Sequence, residues 1–201
     1  MSPDKLMDPL ELKKNIREQA HANRAAQTNK DELSAAICET FMELPEFAAA
    51  RTVMVYIDVR TEVRTRHALP ALLASGKRIV VPYCVERDLE LFLLESMDEL
   101  AVGMYKILEP KPELRDGPDK RIAVDELDLI MVPGVAFDRN GARMGHGFGY
   151  YDKLLEHARA NAPLVALAFE CQLFTEIPTQ AHDVFMDKII TEQAVYTGKG
   201  R

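Results

Sequence analysis

Met131-Val-Pro-Gly-Val-Ala-Phe-Asp-Arg-Asn-Gly-Ala-Arg-Met-Gly-His-Gly-Phe-Gly-Tyr-Tyr-Asp152 carries most of the structural information in this chain. It continues an apolar run from Leu129 to Val132, which suits a strand buried on both faces. A polar turn closing on Gly141 follows, then glycines at every second position (Gly145, Gly147, Gly149) and a helix beginning near Tyr150. Glycines so spaced let successive backbone N–H groups turn into one concavity, which holds phosphate without a dedicated side chain. The helix behind them directs its N-terminal donors at the same place. Arg143 sets a cation beside the loop, and Asp152 puts a carboxylate in the first helical turn. Together these elements describe a site for a nucleoside triphosphate and magnesium. The loop is not a P-loop, because no Gly-Lys-Ser/Thr follows, and the G-x-G-x-x-G spacing of dinucleotide-binding turns is absent.

Other short apolar runs rich in branched residues flank this stretch: Val53 to Ile57, Ile79 to Val81, Leu91 to Leu94 and Leu164 to Phe169, with a last strand over Lys188 to Thr191. Between the first two, Thr65 to Ala74 reads as a helix stopped by Ser75-Gly76, and another helix lies between Gly149 and Asn161. Two helices come first. One runs from Pro9 to Arg24 with Leu10, Leu12, Ile16 and Ala20 as its apolar stripe. The other follows a break at Thr28 to Asp31, repeats Leu33, Ile37, Phe41 and Leu44 at helical spacing, and ends at Pro45. This alternation implies an α/β fold in three layers, a mainly parallel sheet with helices on both faces. Glu109 to Asp119, with three prolines and a glycine, reads as an extended surface connection, and Thr197 to Arg201 as a frayed tail. Neither side of the proline-rich stretch has strands enough for its own sheet, so residues 1–201 are expected to form a single domain.

The net charge of −7 argues against non-specific nucleic-acid binding, which needs a basic surface. No apolar run is long enough to cross a bilayer, and Met-Ser-Pro-Asp-Lys at the start lacks the apolar core of a signal peptide, so a cytoplasmic protein is expected. Cys38, Cys84 and Cys171 are far apart in apolar surroundings and read as reduced core thiols.

The string from Pro133 to Asp152 resembles the signature of the 5-formyltetrahydrofolate cyclo-ligases (methenyltetrahydrofolate synthetases). That signature runs Pro-Gly, Phe-Asp, then Gly-x-Arg-hydrophobic-Gly-x-Gly-x-Gly-Tyr-Tyr-Asp, and every fixed position is filled here. The resemblance implies a three-layer α/β fold and an enzyme that uses ATP and Mg2+ to convert 5-formyltetrahydrofolate into 5,10-methenyltetrahydrofolate, ADP and phosphate. It also implies that Arg143, Met144, Gly145, His146, Gly147, Phe148, Gly149, Tyr150 and Tyr151 contact ATP, with Gly147, Gly149 and Tyr151 also lining the folate site. Phe148 is a departure: these enzymes often carry glycine or lysine there, and phenylalanine cannot reach a phosphate, whereas His146 can donate a hydrogen bond.

Lys13-Lys14-Asn15-Ile16-Arg17 is the second informative stretch. Lys13 and Arg17 share one helix face, and taken alone they read as a solvated basic face. The cyclo-ligases carry Lys-x-x-hydrophobic-Arg on their first helix in contact with ATP phosphates, which implies that role for residues 13 to 17, with Lys13, Arg17 and Arg143 as the catalytic cations. Arg24 lies two turns further on and takes no assigned role. Glu62 follows the first strand, where a lone carboxylate is commonly a helix N-terminal charge. The resemblance instead implies that Glu62 and Ile57 contact the folate. Tyr83 is read as a core aromatic. Near the C-terminus the resemblance implies a second metal-associated aspartate beside Asp152, matched best by Asp183 of His182-Asp183, with Asp187 as runner-up.

The partners expected are therefore small molecules, a reduced folate and ATP, with no nucleic acid, no membrane and a monomeric chain. Two alternatives stay open from sequence: a sugar-phosphate isomerase-like enzyme on a similar fold, and a non-catalytic nucleotide- or folate-binding relative.

Overall fold

The computed structural model describes residues 8–103, 107–180 and 183–201. Helix α1 (Pro9–Ala26) begins where the Asp8 carboxylate accepts from the Leu10 N–H, and proline takes a first-turn position whose N–H has no helical partner. Its stripe of Ile16 and Ala20 packs on Val135, Ala136, Ala142 and Met144, so the face expected to be apolar meets the segment that leads into the glycine loop. Asn29, in the left-handed conformation (φ 53°), separates α1 from α2 (Lys30–Glu43). Pro45 ends α2 as expected but also opens a short α3 (Pro45–Ala49), because Leu44 before it is extended (ψ 141°).

The strands and remaining helices follow as β1 (Thr52–Met54), α4 (Leu69–Ala74), β2 (Arg78–Val85), β3 (Asp88–Leu94), β4 (Leu100–Val102), β5 (Leu108–Pro110), β6 (Leu129–Val132), β7 (Ala136–Asp138), β8 (Arg143–Met144), α5 (Tyr150–Glu156), β9 (Leu164–Leu167), β10 (Leu173–Phe174), β11 (Lys188–Ile190) and β12 (Val195–Thr197). Among the described residues the main sheet has the order β12-β11-β9-β6-β1-β2-β3. Its five inner strands are parallel, and the edge strands β3 and β12 are antiparallel. Leu91 to Leu94 thus belongs to a hairpin with β2, and its turn at Glu86 takes a left-handed φ of 54°.

Alternation along the inner strands builds two cores. Val53, Ile79, Val81, Leu129, Met131, Val165 and Leu167 face one side, with Ile37, Phe41, Phe47, Leu69 and Leu72 of α2, α3 and α4 upon them. Met54, Val80, Ile130, Val132, Leu164 and Ala166 face the other, with Leu154 and Leu155 of α5. Continuous apolar runs are what a sheet covered on both faces requires, and this gives the α/β, three-layer arrangement. No helix among the described residues is long and apolar enough to cross a membrane.

Several segments differ from their sequence reading. The polar turn after β6 is a hairpin: β7 and β8 pair antiparallel around Gly141, and β10 joins β7 in parallel. Glu109 and Pro110 begin the segment expected to be irregular, yet they pair with Ala101 and Leu100 in the β4–β5 ribbon. The tail is docked. Gly198 donates to the Asp187 carbonyl (2.9 Å) and Lys199 to the Asn140 carbonyl (2.8 Å). A Cβ on Gly198 would stand 2.2 Å from the Met186 carbonyl oxygen, so only glycine fits that approach. Of the three thiols, all unpaired, only Cys38 is buried, while Cys84 is exposed and Cys171 intermediate.

Candidate active site

The chain runs from β1 to β2 on one side and later from β6 to β9 on the other, so the strand order reverses between β1 and β6. In open α/β sheets ligands bind beyond the carboxyl ends of the strands at that switch point. A cleft of about 1050 Å³ lies there, lined by the loops after β1 and β6, the glycine loop, and Lys13 and Arg17 of α1. Its size stands at the upper end of the roughly 300–1,000 Å³ usual for small-molecule and cofactor sites.

Asp58 and Arg66 shape the loop after β1. The Asp58 side chain is 1% exposed and accepts from Arg66 Nε (2.9 Å) and Nη2 (2.7 Å), an interaction that raises the Arg66 pKa. Glu62 closes a turn on itself, its N–H donating to the Val59 carbonyl (3.1 Å) and its Oε2 accepting from the Val59 N–H (3.0 Å). The carboxylate is thus a turn element in the cleft wall and does not stand at a helix start. Arg24, 1% exposed, lies behind this loop, donating to Thr61 Oγ1 (2.9 Å) and the Gly134 carbonyl (3.3 Å). Burial pulls its pKa below the usual arginine value, with Glu62 the largest opposing influence.

The three glycines serve two different needs. Gly147 and Gly149 take φ of 94° and 73°, which disfavour an L side chain. Gly145 has no such φ, but a Cβ there would sit 3.1 Å from Arg143 Nη1. Arg17 donates through Nε to the Gly145 carbonyl (3.0 Å), fastening the loop to α1. Phe148, between the two left-handed glycines, is 76% exposed, its ring 6.0 Å from that of Tyr150.

Arg143 was expected on a loop and stands instead in β8, its side chain 6% exposed. It pairs with Asp152 and donates to the Pro133 carbonyl (3.4 Å), while its Nε is buried with no hydrogen-bond partner among the described residues. Burial lowers its pKa, and Asp152, Tyr151 and Asp183 push the other way, so both acids are close enough to act on one guanidinium. Asp183 lines the cleft, its Oδ2 accepting from the Gln180 N–H (2.7 Å). Asp187 does not line it; its carboxylate accepts from the Leu164 N–H (2.8 Å) at the start of β9. His182 lies outside the described residues.

The structure therefore gathers Lys13, Arg17, Ile57, Glu62, Asp183 and every residue from Arg143 to Asp152 around one cleft. Lys14, Asn15 and Ile16 do not line it. Lys14 points to solvent near Glu18 (3.9 Å), Asn15 is exposed, and Ile16 is buried beneath the helix. A helix turns residues three and four apart to one partner, so a five-residue motif cannot present every member. Sequence reasoning missed Asp58, Arg60, Arg66 and Arg115, all of which line the cleft. Arg115 comes from the proline-rich segment, donates to Glu109 (3.0 Å) and covers the Tyr83 ring at 4.8 Å. Tyr83 is buried as expected but also lines the cleft, its hydroxyl donating to Glu90 (2.6 Å), and burial pushes its pKa up to about 12.

Comparison with known proteins gives a consistent result. A family model described as the 5-formyltetrahydrofolate cyclo-ligase family matches residues 9–192. A probable 5-formyltetrahydrofolate cyclo-ligase of Schizosaccharomyces pombe is 33% identical, covering 82% of this chain and 86% of its own. A mitochondrial 5-formyltetrahydrofolate cyclo-ligase of Arabidopsis thaliana is 31% identical, covering 84% of this chain and 68% of its own. Among solved structures, the 5,10-methenyltetrahydrofolate synthetase of Aquifex aeolicus is similar with a TM-score of 0.80 and 31% identity, covering 94% of this chain and 95% of that one.

Proposed function

The chain belongs to the 5-formyltetrahydrofolate cyclo-ligase family and is a ligase, and from that premise we propose that it closes 5-formyltetrahydrofolate to 5,10-methenyltetrahydrofolate with ATP and magnesium. The observation that carries this reading is one cleft of about 1050 Å³ with cations and a glycine loop on one wall and Glu62 on another. An amide oxygen is a poor leaving group, so ring closure needs it activated. The formyl oxygen attacks the γ-phosphorus of ATP and ADP leaves. N10 then adds to the resulting N5-iminium phosphate and gives up its proton to solvent, and phosphate departs as the C–O bond breaks.

The protein's task is to hold two ligands in line and to neutralise charge on the transferred group. Lys13, Arg17 and Arg143 meet the phosphates together with the backbone donors of Gly145 to Gly149. Arg143 and Arg17 both line the cleft beside these glycines, which supports this reading. Ile57 and Tyr151 line the folate pocket, and Glu62 accepts from adjacent pterin N–H groups as a pair. Burial and Glu62 both raise the Tyr151 pKa, keeping its phenol a hydrogen-bond donor.

Asp152 and Asp183 suit magnesium, which takes one or two carboxylates and fills the rest of its shell with phosphate and water. Both acids border the cleft, and Asp152 is 65% exposed, with an oxygen to spare beyond its pair with Arg143. When bound, the metal would offset negative charge on the β- and γ-phosphates. The unpaired thiols accord with a reducing, cytoplasmic setting, and we take the chain to act as a single-domain monomer. The test is stoichiometry. One phosphate and one ADP should appear per methenyl group formed, and formation of the methenyl product without phosphate release would exclude this chemistry.

A further inference from the structure

The turn that carries Glu62 also carries a cation on its tip. Its ends are joined by the Glu62 N–H and the Val59 carbonyl, and Arg60 within it takes a left-handed φ of 55°. Glycine adopts that conformation freely, whereas an L side chain is strained in it. The tip is fixed from beneath, where Arg24 donates to the neighbouring Thr61 Oγ1. Arg60 itself is exposed, and its guanidinium makes no hydrogen bond or ion pair with another described residue.

Arg60 and Arg66 border the cleft and also a separate bowl of about 270 Å³, whose remaining lining is Arg64 and His67. Among the described residues, arginine and histidine supply the whole lining of that bowl. Asp31 of α2 pairs with Arg64 and lies 3.7 Å from His67 Nδ1, while Asp58 pairs with Arg66. Three arginines thus meet two carboxylates, and Arg60 is the positive charge in excess. The chain as a whole carries a net charge of −7, so this patch runs against its average. The bowl is smaller than the roughly 300–1,000 Å³ usual for a whole small ligand. It suits an anionic extension of a ligand seated in the cleft, and the Glu62 turn stands between the two.

We propose that this bowl receives the carboxylates of a γ-linked glutamyl chain on the folate, and that Arg60 and Arg64 set the preference for chain length. The inference rests on the assignment of Glu62 to the folate made above. Folates end in glutamate, and each further residue joined through a γ-amide adds one carboxylate and no other charge. Arginine takes a carboxylate with two parallel hydrogen bonds, which a lysine cannot match. The bowl flanks Glu62, which holds the pterin end of the molecule. A single glutamate therefore stops within the cleft, and the added residues turn back past Arg60 into the bowl.

Initial rates with 5-formyltetrahydrofolate bearing one, three or five glutamates give a KM for each chain length. In the wild type KM should fall roughly 3- to 30-fold from one glutamate to five, the reach of a few partly exposed ion pairs. That gain should shrink at about 0.5 M salt, which screens exposed charges. Arg60→Gly, which suits the left-handed turn, should keep a thermal midpoint near that of the wild type and lose most of the gain. Arg64→Gln should lose part of it. Arg139→Gln removes the same charge from a surface outside both cleft and bowl, and should keep the gain. Equal KM for all three substrates in the wild type, a gain kept whole by Arg60→Gly or Arg64→Gln, or one lost equally by Arg139→Gln would overturn the proposal. Absence of turnover with every chain length would instead overturn the functional reading and this inference with it.

Discussion

Replacing Arg143 by alanine separates the chemistry of the cleft from the stability of the fold. A charge-assisted contact to phosphate is worth about 1.5–3 kcal/mol, so kcat/KM should fall by roughly 10- to 150-fold. The structural cost is smaller than the 6% exposure of the side chain suggests. Alanine keeps Cβ, so two stem methylenes at about 0.8 kcal/mol each put the lost burial near 1.6 kcal/mol as an upper bound. Against this, the variant no longer buries a guanidinium whose Nε has no partner among the described residues, a relief of about 1–3 kcal/mol. The two nearly cancel. The midpoint of thermal unfolding should therefore move by no more than about 4 °C in either direction. Methenyltetrahydrofolate formation, followed by absorbance across an ATP series, would be set beside a thermal melt of the same sample. Arg143→Lys, which keeps the charge but loses the planar fork, should fall between the two. Wild-type activity in Arg143→Ala would remove this residue from the phosphates. A melt lowered by ten degrees or more would mean that it acts through the fold.

Three further outcomes follow from particular contacts. Asp152→Asn should shift the magnesium titration of activity to higher concentration; a curve that superimposes on wild type would leave the carboxylate as a partner of Arg143 and the helix start, worth on the order of 1 kcal/mol of stability. Gly147→Ala meets no clash, since its Cβ would stand 3.7 Å from Arg17, but it forces a φ of 94° on an L residue. The cost of about 1–2 kcal/mol should appear as a roughly 5- to 30-fold rise in the KM for ATP, and an unchanged KM would mean that the loop conformation is not what binds phosphate. For His21 the folded-state pKa lies below the unfolded value, so the unfolded chain binds the proton more readily. Its contribution to stability is complete above about pH 6.5 and is lost as pH falls toward the folded value. Thermal melts from pH 7.5 to 5.5 should show less loss for His21→Gln than for wild type, and parallel losses would contradict the assignment.

The inner strands and the glycine loop were legible because each obeys a rule that acts within a few residues. An apolar run such as Leu129 to Val132 has one good home, the middle of a sheet covered on both faces. The run of three glycines and the Tyr-Tyr-Asp after it locate a turn and a helix start without reference to the rest of the chain. Contacts between distant segments left no such trace. Arg143 reads as a loop cation until β7 and β8 pair around Gly141 and bury it. Asp58 and Arg66 are eight residues apart in a segment without regular helix, a spacing that announces no ion pair. Arg115 lies in a proline-rich stretch whose composition forbids a long element but does not say which surface it covers. The tail looked free because glycine suits a flexible end, whereas Gly198 is needed for its close approach to Met186. Of the five residues from Lys13 to Arg17, helical spacing put Lys13 and Arg17 on one face and Ile16 in the apolar stripe, but not what the basic face would meet. The structure brings Lys13 and Arg17 to the cleft and buries Ile16.

The most direct measurement is the absorbance of methenyltetrahydrofolate formed from 5-formyltetrahydrofolate by the purified protein, recorded complete and with ATP or magnesium omitted in turn. Product should accumulate in the complete mixture alone, and removing magnesium with a chelator should stop a reaction already under way. Equal rates without ATP, or no product in the complete mixture from folded protein, would contradict the role given to the cleft.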